Sequence, residues 1–187
     1  MRIYLAGPDV FLPDANAIAE AKKDICARHG MQGVFPLDPI HCAAADAVPD
    51  RFLQIYLRNE AHIRACDALI ANLTPFRGPS ADAGTVYELG FMRALGRPVL
   101  GYANTGETFR DRTLAFLGPA ARLRAEDDWV DGEGLHLESF GLTDNLMIDG
   151  GIIAAGGRLV TRAVPAAERW SDLTAFEDCV RALAGRA

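Results

Sequence analysis

Along the first two-thirds of the chain, short apolar runs alternate with segments whose apolar residues recur every three or four positions. Residues 2–6 (RIYLA) are a β-rich run that ends in the turn signal Gly7-Pro8. After the loop PDVFLP, Ala15, Ile18, Ala19, Lys22, Ile25 and Cys26 mark one face of a helix. Asp14 can cap that helix, and it stops near His29-Gly30. Residues 32–37 (QGVFPL) predict a short second strand, followed by a loop to about residue 49. Between residues 50 and 66, Phe52, Ile55, Tyr56, Asn59, His62 and Ile63 lie along one side of a helix. Residues 67–73 are almost continuously apolar, as expected of a strand buried on both faces of a parallel sheet. A helical pattern over 82–95 stops at Gly96, and PVLGY (98–102) is the next strand.

Strand and helix in this rhythm predict βαβ units and an α/β, doubly wound parallel sheet. Beyond Tyr102 the pattern loosens. NTGETFRDR is a polar loop, and LAFLGPAARLRAEDDWVDGEG presents no single element. In HLESFGLTDNLMIDGG, Phe140, Leu142, Leu146 and Met147 offer a packing surface. IIAAGGRLVTRAV reads as a hairpin around residues 155–157. Residues 170–184 form a terminal helix capped by Ser171 or Asp172, with Leu173, Phe176, Val180 and Leu183 inward. Without internal repeats or a low-complexity linker, residues 1–187 are expected to form one domain.

Charge and composition narrow the ligand. Lysine and arginine total 19 against 25 acids, a net charge of −6, so no domain-wide positive field recruits a phosphate backbone. A small, locally recognised ligand is expected, and no nucleic acid. The four cysteines (Cys26, Cys42, Cys66, Cys179) contain no CxxC, and the four histidines (His29, His41, His62, His136) no HxxxH or HxH. This spacing predicts neither a metal site nor a disulfide framework, and no cofactor is expected. The amino terminus runs MRIYLAGP directly into a strand and lacks the pattern of a secretory leader. No apolar stretch approaches the ~20 residues of a membrane helix. A cytoplasmic protein without a membrane partner is the expectation.

The chemistry lies in the carboxylates. Open α/β sheets bind ligands beyond the carboxyl ends of their strands, where loops lead into helix N-termini. Asp9 follows the first strand, Asp82 stands where the third helix starts, and Glu88 lies within that helix. Asp67 opens the third strand, at the opposite end from such a crevice. Asp82 also suits a plain N-cap, worth about 1 kcal/mol. Glu88, six residues on, falls roughly 120° around a regular helix from it and would then be a solvated residue. Against that plain reading stand the apolar neighbours Tyr87, Leu89, Gly90, Phe91 and Met92. Gly84 and Gly90 each cost the helix about 1 kcal/mol relative to alanine, and they permit close approach of a ligand or a neighbouring element. A carboxylate among apolar and aromatic groups has the surroundings of a nucleophile or an acid.

Three blocks in order, IYLAGPDVF (3–11), CDALIANLTPFRGPSADAGTVYELG (66–90) and ESFGLTDNLMIDG (138–150), resemble the nucleoside 2-deoxyribosyltransferases. Together they span most of residues 1–150; the segment 151–171 is longer than in the branch it matches, and nothing is carried across it. The resemblance implies a flavodoxin-like, Rossmann-like sheet of five parallel strands flanked by helices. It implies exchange of the base on a 2′-deoxynucleoside through a covalent deoxyribosyl-enzyme, with Glu88 as nucleophile. Asp82 and Asp67 would surround the base and assist its protonation and binding. Tyr4 would orient Glu88. Asn145 would reach a neighbouring subunit's site and bind the sugar 5′-hydroxyl, so a homo-oligomer with shared sites is implied. Gly7, Asp9, Phe11 and Phe76 are the remaining candidates for contact with substrate, Phe11 and Phe76 as a sandwich for the base. Loop packing is the alternative for the two aromatics, and an ordinary turn for Asp9. Arg77 would close over the site or lie at the surface, and Asn72 and Thr74 would support it from a strand end.

These residue types suit the reaction. Cleaving an N-glycosidic bond develops an oxocarbenium-like centre, which one carboxylate stabilises and traps while a second group serves the leaving base, as in retaining glycosidases. A nucleobase is a poor leaving anion, so a carboxyl such as Asp82 would protonate it. Glu88 must be ionised while Asp82 carries the proton, so their surroundings should differ. An N-glycosidase on the same scaffold, with water replacing the acceptor base, is the alternative. A version acting on deoxynucleotides would need phosphate donors at a helix N-terminus. The first loop, GPDVFLPD, has two acids and no such cluster. A non-catalytic sensing module would have no reason to keep Tyr4, Asp82 and Glu88 together.

Overall fold

The computed structural model describes residues 1–185. In chain order its elements are β1 (Arg2–Ala6), α1 (Ala15–Arg28), β2 (Gln32–Val34), the single turn α2 (Ala43–Asp46), α3 (Arg51–Ala65), β3 (Ala68–Asn72), α4 (Ala83–Ala94) and β4 (Val99–Ala103). Then follow α5 (Phe109–Leu117), the antiparallel pair β5 (Arg122–Ala125) and β6 (Asp128–Val130), α6 (Leu146–Ala154), β7 (Leu159–Thr161) and α7 (Thr174–Ala184). A 3-10 turn, Pro8–Phe11, leaves the end of β1.

Five strands form one parallel sheet in the order β2-β1-β3-β4-β7, the flavodoxin-like arrangement. Side chains alternate between its faces. Ile3, Leu5, Ile70, Leu100 and Tyr102 pack with Ile25 and Cys26 of α1 and Phe176 and Val180 of α7. On the other face Tyr4, Ala6, Leu69, Ala71 and Val99 pack with Ile63 of α3, Leu89 and Met92 of α4, and Ile148 and Ile152 of α6. Each such large side chain taken from water contributes about 1.5–3 kcal/mol. Among the described residues, no helix is long and apolar enough to cross a membrane.

The second half corrects the sequence-based expectation. Residues 152–164 are not a hairpin: they complete α6, turn at Gly156 and Gly157, and enter β7, which joins β4 in parallel. The turn is tight against the sheet, since a Cβ at Gly157 would lie 2.0 Å from the Val99 carbonyl oxygen. The supposed polar loop becomes α5 after residue 108, where the Thr108 side chain accepts from the Asp111 N–H. The terminal helix begins at Thr174, later than residue 170, with Asp172 Oδ1 accepting from the Thr174 N–H at 2.8 Å.

Candidate active site

Strand order reverses between β1 and β3, and the crevice above such a reversal is where doubly wound sheets hold ligands. The loops leaving β1 and β3 carry Phe11 and Phe76, and the second leads into α4, which bears Glu88. Glu88 points back at the sheet. The Tyr4 hydroxyl, on a fully buried ring in β1, donates to Glu88 Oε1 at 2.7 Å. Asn59 of α3 donates its Nδ2–H to the same oxygen at 3.5 Å. Burial, then the Glu88 charge, keeps the Tyr4 hydroxyl protonated. His62 stacks on Tyr4 with centroids 6.5 Å apart and pairs its Nε2 with the Asp38 carbonyl at 3.0 Å. Burial lowers its pKa, so the imidazole is a neutral wall behind Tyr4.

Glu88 borders a cavity of about 300 Å³ that Tyr56, Asn59, Glu60, Ile63, Gly84 and Tyr87 also line. Burial pushes the Glu88 carboxyl up to about 7, with a smaller push from the Asp82 charge and an opposing pull from the Tyr4 hydrogen bond. At neutral pH it is poised between its two protonation states, as an acid-base or nucleophilic group requires. Glu60 fixes the rim by accepting from the hydroxyls of Tyr56 (2.6 Å) and Tyr87 (3.2 Å). A side chain at Gly84 would project from that cavity wall, its Cβ 3.2 Å from Asp82 Oδ2.

Asp82 is the N-cap of α4: its Oδ2 accepts from the Thr85 N–H (2.9 Å) and hydroxyl (3.0 Å). Its Oδ1 has no hydrogen-bond partner among the described residues. The loop before it is held by buried Asp144, which accepts from the Ser80 hydroxyl (2.5 Å) and the Ala81 N–H (2.8 Å). Arg112 ties the same loop to its neighbours by donating to the carbonyls of Pro79, Glu107 and Thr143. The ESFGLTDNLMIDG block thus fixes where α4 begins. Phe11 and Phe76 stack directly on each other, with centroids 5.5 Å apart and planes 15° apart, leaving no gap for a base between them. Arg77, in a left-handed backbone conformation (φ 55°), lays its guanidinium 4.5 Å from the Phe76 centroid and 5.2 Å from that of Phe11.

Other expected site residues lie elsewhere. Asp9, anticipated at the ligand, is fully buried beneath the loop, paired with Lys22 Nζ at 2.8 Å and accepting from Asn72 Nδ2 with both oxygens. Gly7 makes room for it, since a Cβ there would lie 2.2 Å from Asp9 Oδ2 and 2.8 Å from Asn72 Cβ. Gly7 therefore leaves room for the buried pair. Asp67 sits at the amino edge of the sheet, where it accepts from the Arg2 N–H at 2.7 Å, and it does not join Glu88. Asn145 caps α6, accepting from the Met147 N–H at 3.0 Å and donating to Glu138. It lines a different cavity, a groove of about 890 Å³ between α4 and α6. Asn59 and Glu60 had not been expected at the site. For Asn59 the signal was a polar residue on a largely apolar helical stripe. Among the described residues no cluster of three or more His, Cys, Asp or Glu is arranged to hold a metal ion.

Comparison with known proteins gives the same frame. Residues 3–147 match the family model of the nucleoside 2-deoxyribosyltransferases. A 2-deoxyribosyltransferase from Leishmania mexicana shares 31% identity and a TM-score of 0.56, over 79% of this chain and 84% of that one. A conserved protein from Enterococcus faecalis shares the fold over 98% of both chains, with a TM-score of 0.55 and 20% identity. An uncharacterized protein of Schizosaccharomyces pombe is 31% identical over 98% of this chain and 89% of its own length. This chain belongs to the nucleoside 2-deoxyribosyltransferase family.

Proposed function

We propose that the protein moves 2-deoxyribose from one nucleobase to another through a covalent deoxyribosyl-Glu88 intermediate. The observation that carries this reading is the Glu88 carboxylate, aimed from α4 at the sheet, held by Tyr4 and bordering a cavity of about 300 Å³. Glu88 attacks as the carboxylate. As the C1′–N bond of the donor breaks, its electron pair stays with the base nitrogen and Asp82 delivers a proton to the base. Glu88 stabilises the cationic C1′ and closes on it as an ester. Tyr4 and Asn59 keep the attacking oxygen in line, which is a gain in positioning rather than in chemistry. In the second half, a nitrogen of the acceptor base attacks C1′, the Glu88–C1′ bond breaks, and Asp82 takes up the acceptor's proton. Phe11 is exposed and offers a ring on which a base can stack.

The sugar contact belongs to a second copy of the chain in this reading. The α4–α6 groove is lined by Val86, Leu89, Leu146, Met147 and Ile148, with Met147 74% exposed, so its occupant is the same apolar face of a partner. Asn145, on the groove wall, is then carried to the partner's site.

Incubation with a 2′-deoxynucleoside, with and without a second free base, tests the reading. A new deoxynucleoside that appears only with the acceptor supports transfer. Free 2-deoxyribose at the same rate in both samples would assign the protein to the N-glycosidase alternative. No cleavage of any purine or pyrimidine donor would remove the proposal.

A further inference from the structure

We infer that Trp170 is a positioning residue for the nucleobase subsite, acting through Phe76; this rests on the transfer reading above. Trp170 belongs to the segment after β7, outside the residues that match the family model. Its ring stands edge-on to Phe76, with centroids 6.1 Å apart and planes at 83°. Phe76 is therefore held from two sides, by Trp170 at one edge and by the Phe11 stack on its face, with Arg77 across the seam.

One buried polar chain fixes all three aromatics to the sheet. Lys22 pairs with Asp9, which lies in the 3-10 turn that ends in Phe11. Asn72 donates to Asp9, and its Oδ1 accepts from the Thr74 N–H at 3.1 Å, two residues before Phe76. The Thr74 hydroxyl accepts from the Asn104 N–H at 3.0 Å. The Asn104 amide then donates to the carbonyls of Arg169 and Asp172, both at 2.9 Å, on either side of Trp170. These links run beneath the carboxyl ends of β1, β3 and β4, so the segment after β7 is registered to the same edge as the catalytic loops. Phe11 is 56% exposed while Phe76 and Trp170 are half-buried, an order that puts the accessible ring on Phe11 and the buttress on Trp170. A base stacked on Phe11 thus inherits its orientation from Phe76 and Trp170.

The chain has two tryptophans, so Trp129→Phe leaves Trp170 as the sole emitter. Thymidine and 2′-deoxyinosine titrated into this variant are expected to change its emission saturably, and Phe11→Ala in the same background to abolish the change. By equilibrium dialysis, Trp170→Ala weakens binding of the same nucleosides roughly 3- to 10-fold, the worth of one aromatic pair, while Trp170→Phe restores it. In base exchange the same loss appears in KM and leaves kcat within about twofold, as expected when ground-state and transition-state binding weaken together. Unaltered Trp170 emission at saturating nucleoside, or unchanged affinity in a folded Trp170→Ala protein, would overturn the inference whether or not the protein exchanges bases. An emission response without base exchange would keep the subsite and remove only the transfer reading.

Discussion

Tyr4 and Glu88 are 84 positions apart in the chain, yet the Tyr4 hydroxyl donates to Glu88 Oε1 at 2.7 Å. The bond joins the centre of β1 to the second turn of α4, across the face of the sheet that α3 and α4 cover. It opposes the effect of burial, which alone would push Glu88 beyond about 7.

In this account the nucleophile must be ionised, so an acid limb in turnover is expected at a pH of about 7. In Tyr4→Phe the bond that lowers the Glu88 pKa is gone, and the acid limb moves to higher pH. Turnover at neutral pH falls roughly 10-fold or more, as expected from losing a hydrogen bond to a charged group worth about 1.5–3 kcal/mol. A pH–rate profile of both proteins checks the sign; a limb that stays in place would detach Tyr4 from Glu88.

Asp82 caps α4, and substitution can separate that cap from its proposed role as acid. Asparagine caps helices as well as aspartate does, so Asp82→Asn is expected to keep its stability within about 0.5 kcal/mol. Without a proton to give, turnover falls on the order of 100-fold. Because the Asp82 charge raises the Glu88 pKa, the acid limb of the residual activity moves to lower pH. Denaturant unfolding and the pH–rate profile read the two effects independently.

Asp9 is a matter of stability in this structure. Asp9→Asn leaves Lys22 buried without its counter-charge, 5.4 Å from the Tyr102 and Phe176 rings. Breaking such a pair costs about 3–5 kcal/mol. Urea unfolding is expected to show that loss. A raised KM at unchanged stability would instead return Asp9 to the ligand.

Shared sites make inactive variants complement each other. Glu88→Gln lacks the nucleophile, and Asn145→Ala lacks the proposed 5′-hydroxyl contact, so each site of a mixed assembly draws on both chains. At substrate well below KM, a mixture is expected to exceed the sum of its separate activities, approaching about a quarter of the unaltered rate for random two-fold pairs. Light scattering on the same samples reads the assembly. Strict additivity in a proven oligomer would place Asn145 outside the neighbour's site.

The central sheet was readable because β1, β3 and β4 are apolar on both faces and the helices between them carry clear apolar stripes. β7 was not: it has three residues, none fully buried, and follows a helix, LMIDGGIIA, whose two glycines and all-round apolar character hide its period. Asp82 and Glu88 stood out as acids at a helix start and among apolar neighbours, Tyr4 came from the motif, and the fold explains how Tyr4 meets Glu88, since α4 packs across the face of β1. Asp67 lies at the amino edge of the sheet, where an acid that opens a strand is expected, and its role at the base came from the resemblance alone. Asn59 was visible in the sequence as a polar break in an apolar face, but only the packing of α3 beside α4 shows that it reaches Glu88.

The central claim is a covalent bond to Glu88. Incubating the protein with a 2′-deoxynucleoside in the absence of acceptor base, quenching in acid and mapping the peptides by mass spectrometry tests it most directly. The account predicts one deoxyribosyl group on the peptide that contains Glu88, discharged when a second base is added and absent from Glu88→Gln. Base exchange that persists in Glu88→Gln, or a deoxyribosyl group carried by another side chain, would contradict it.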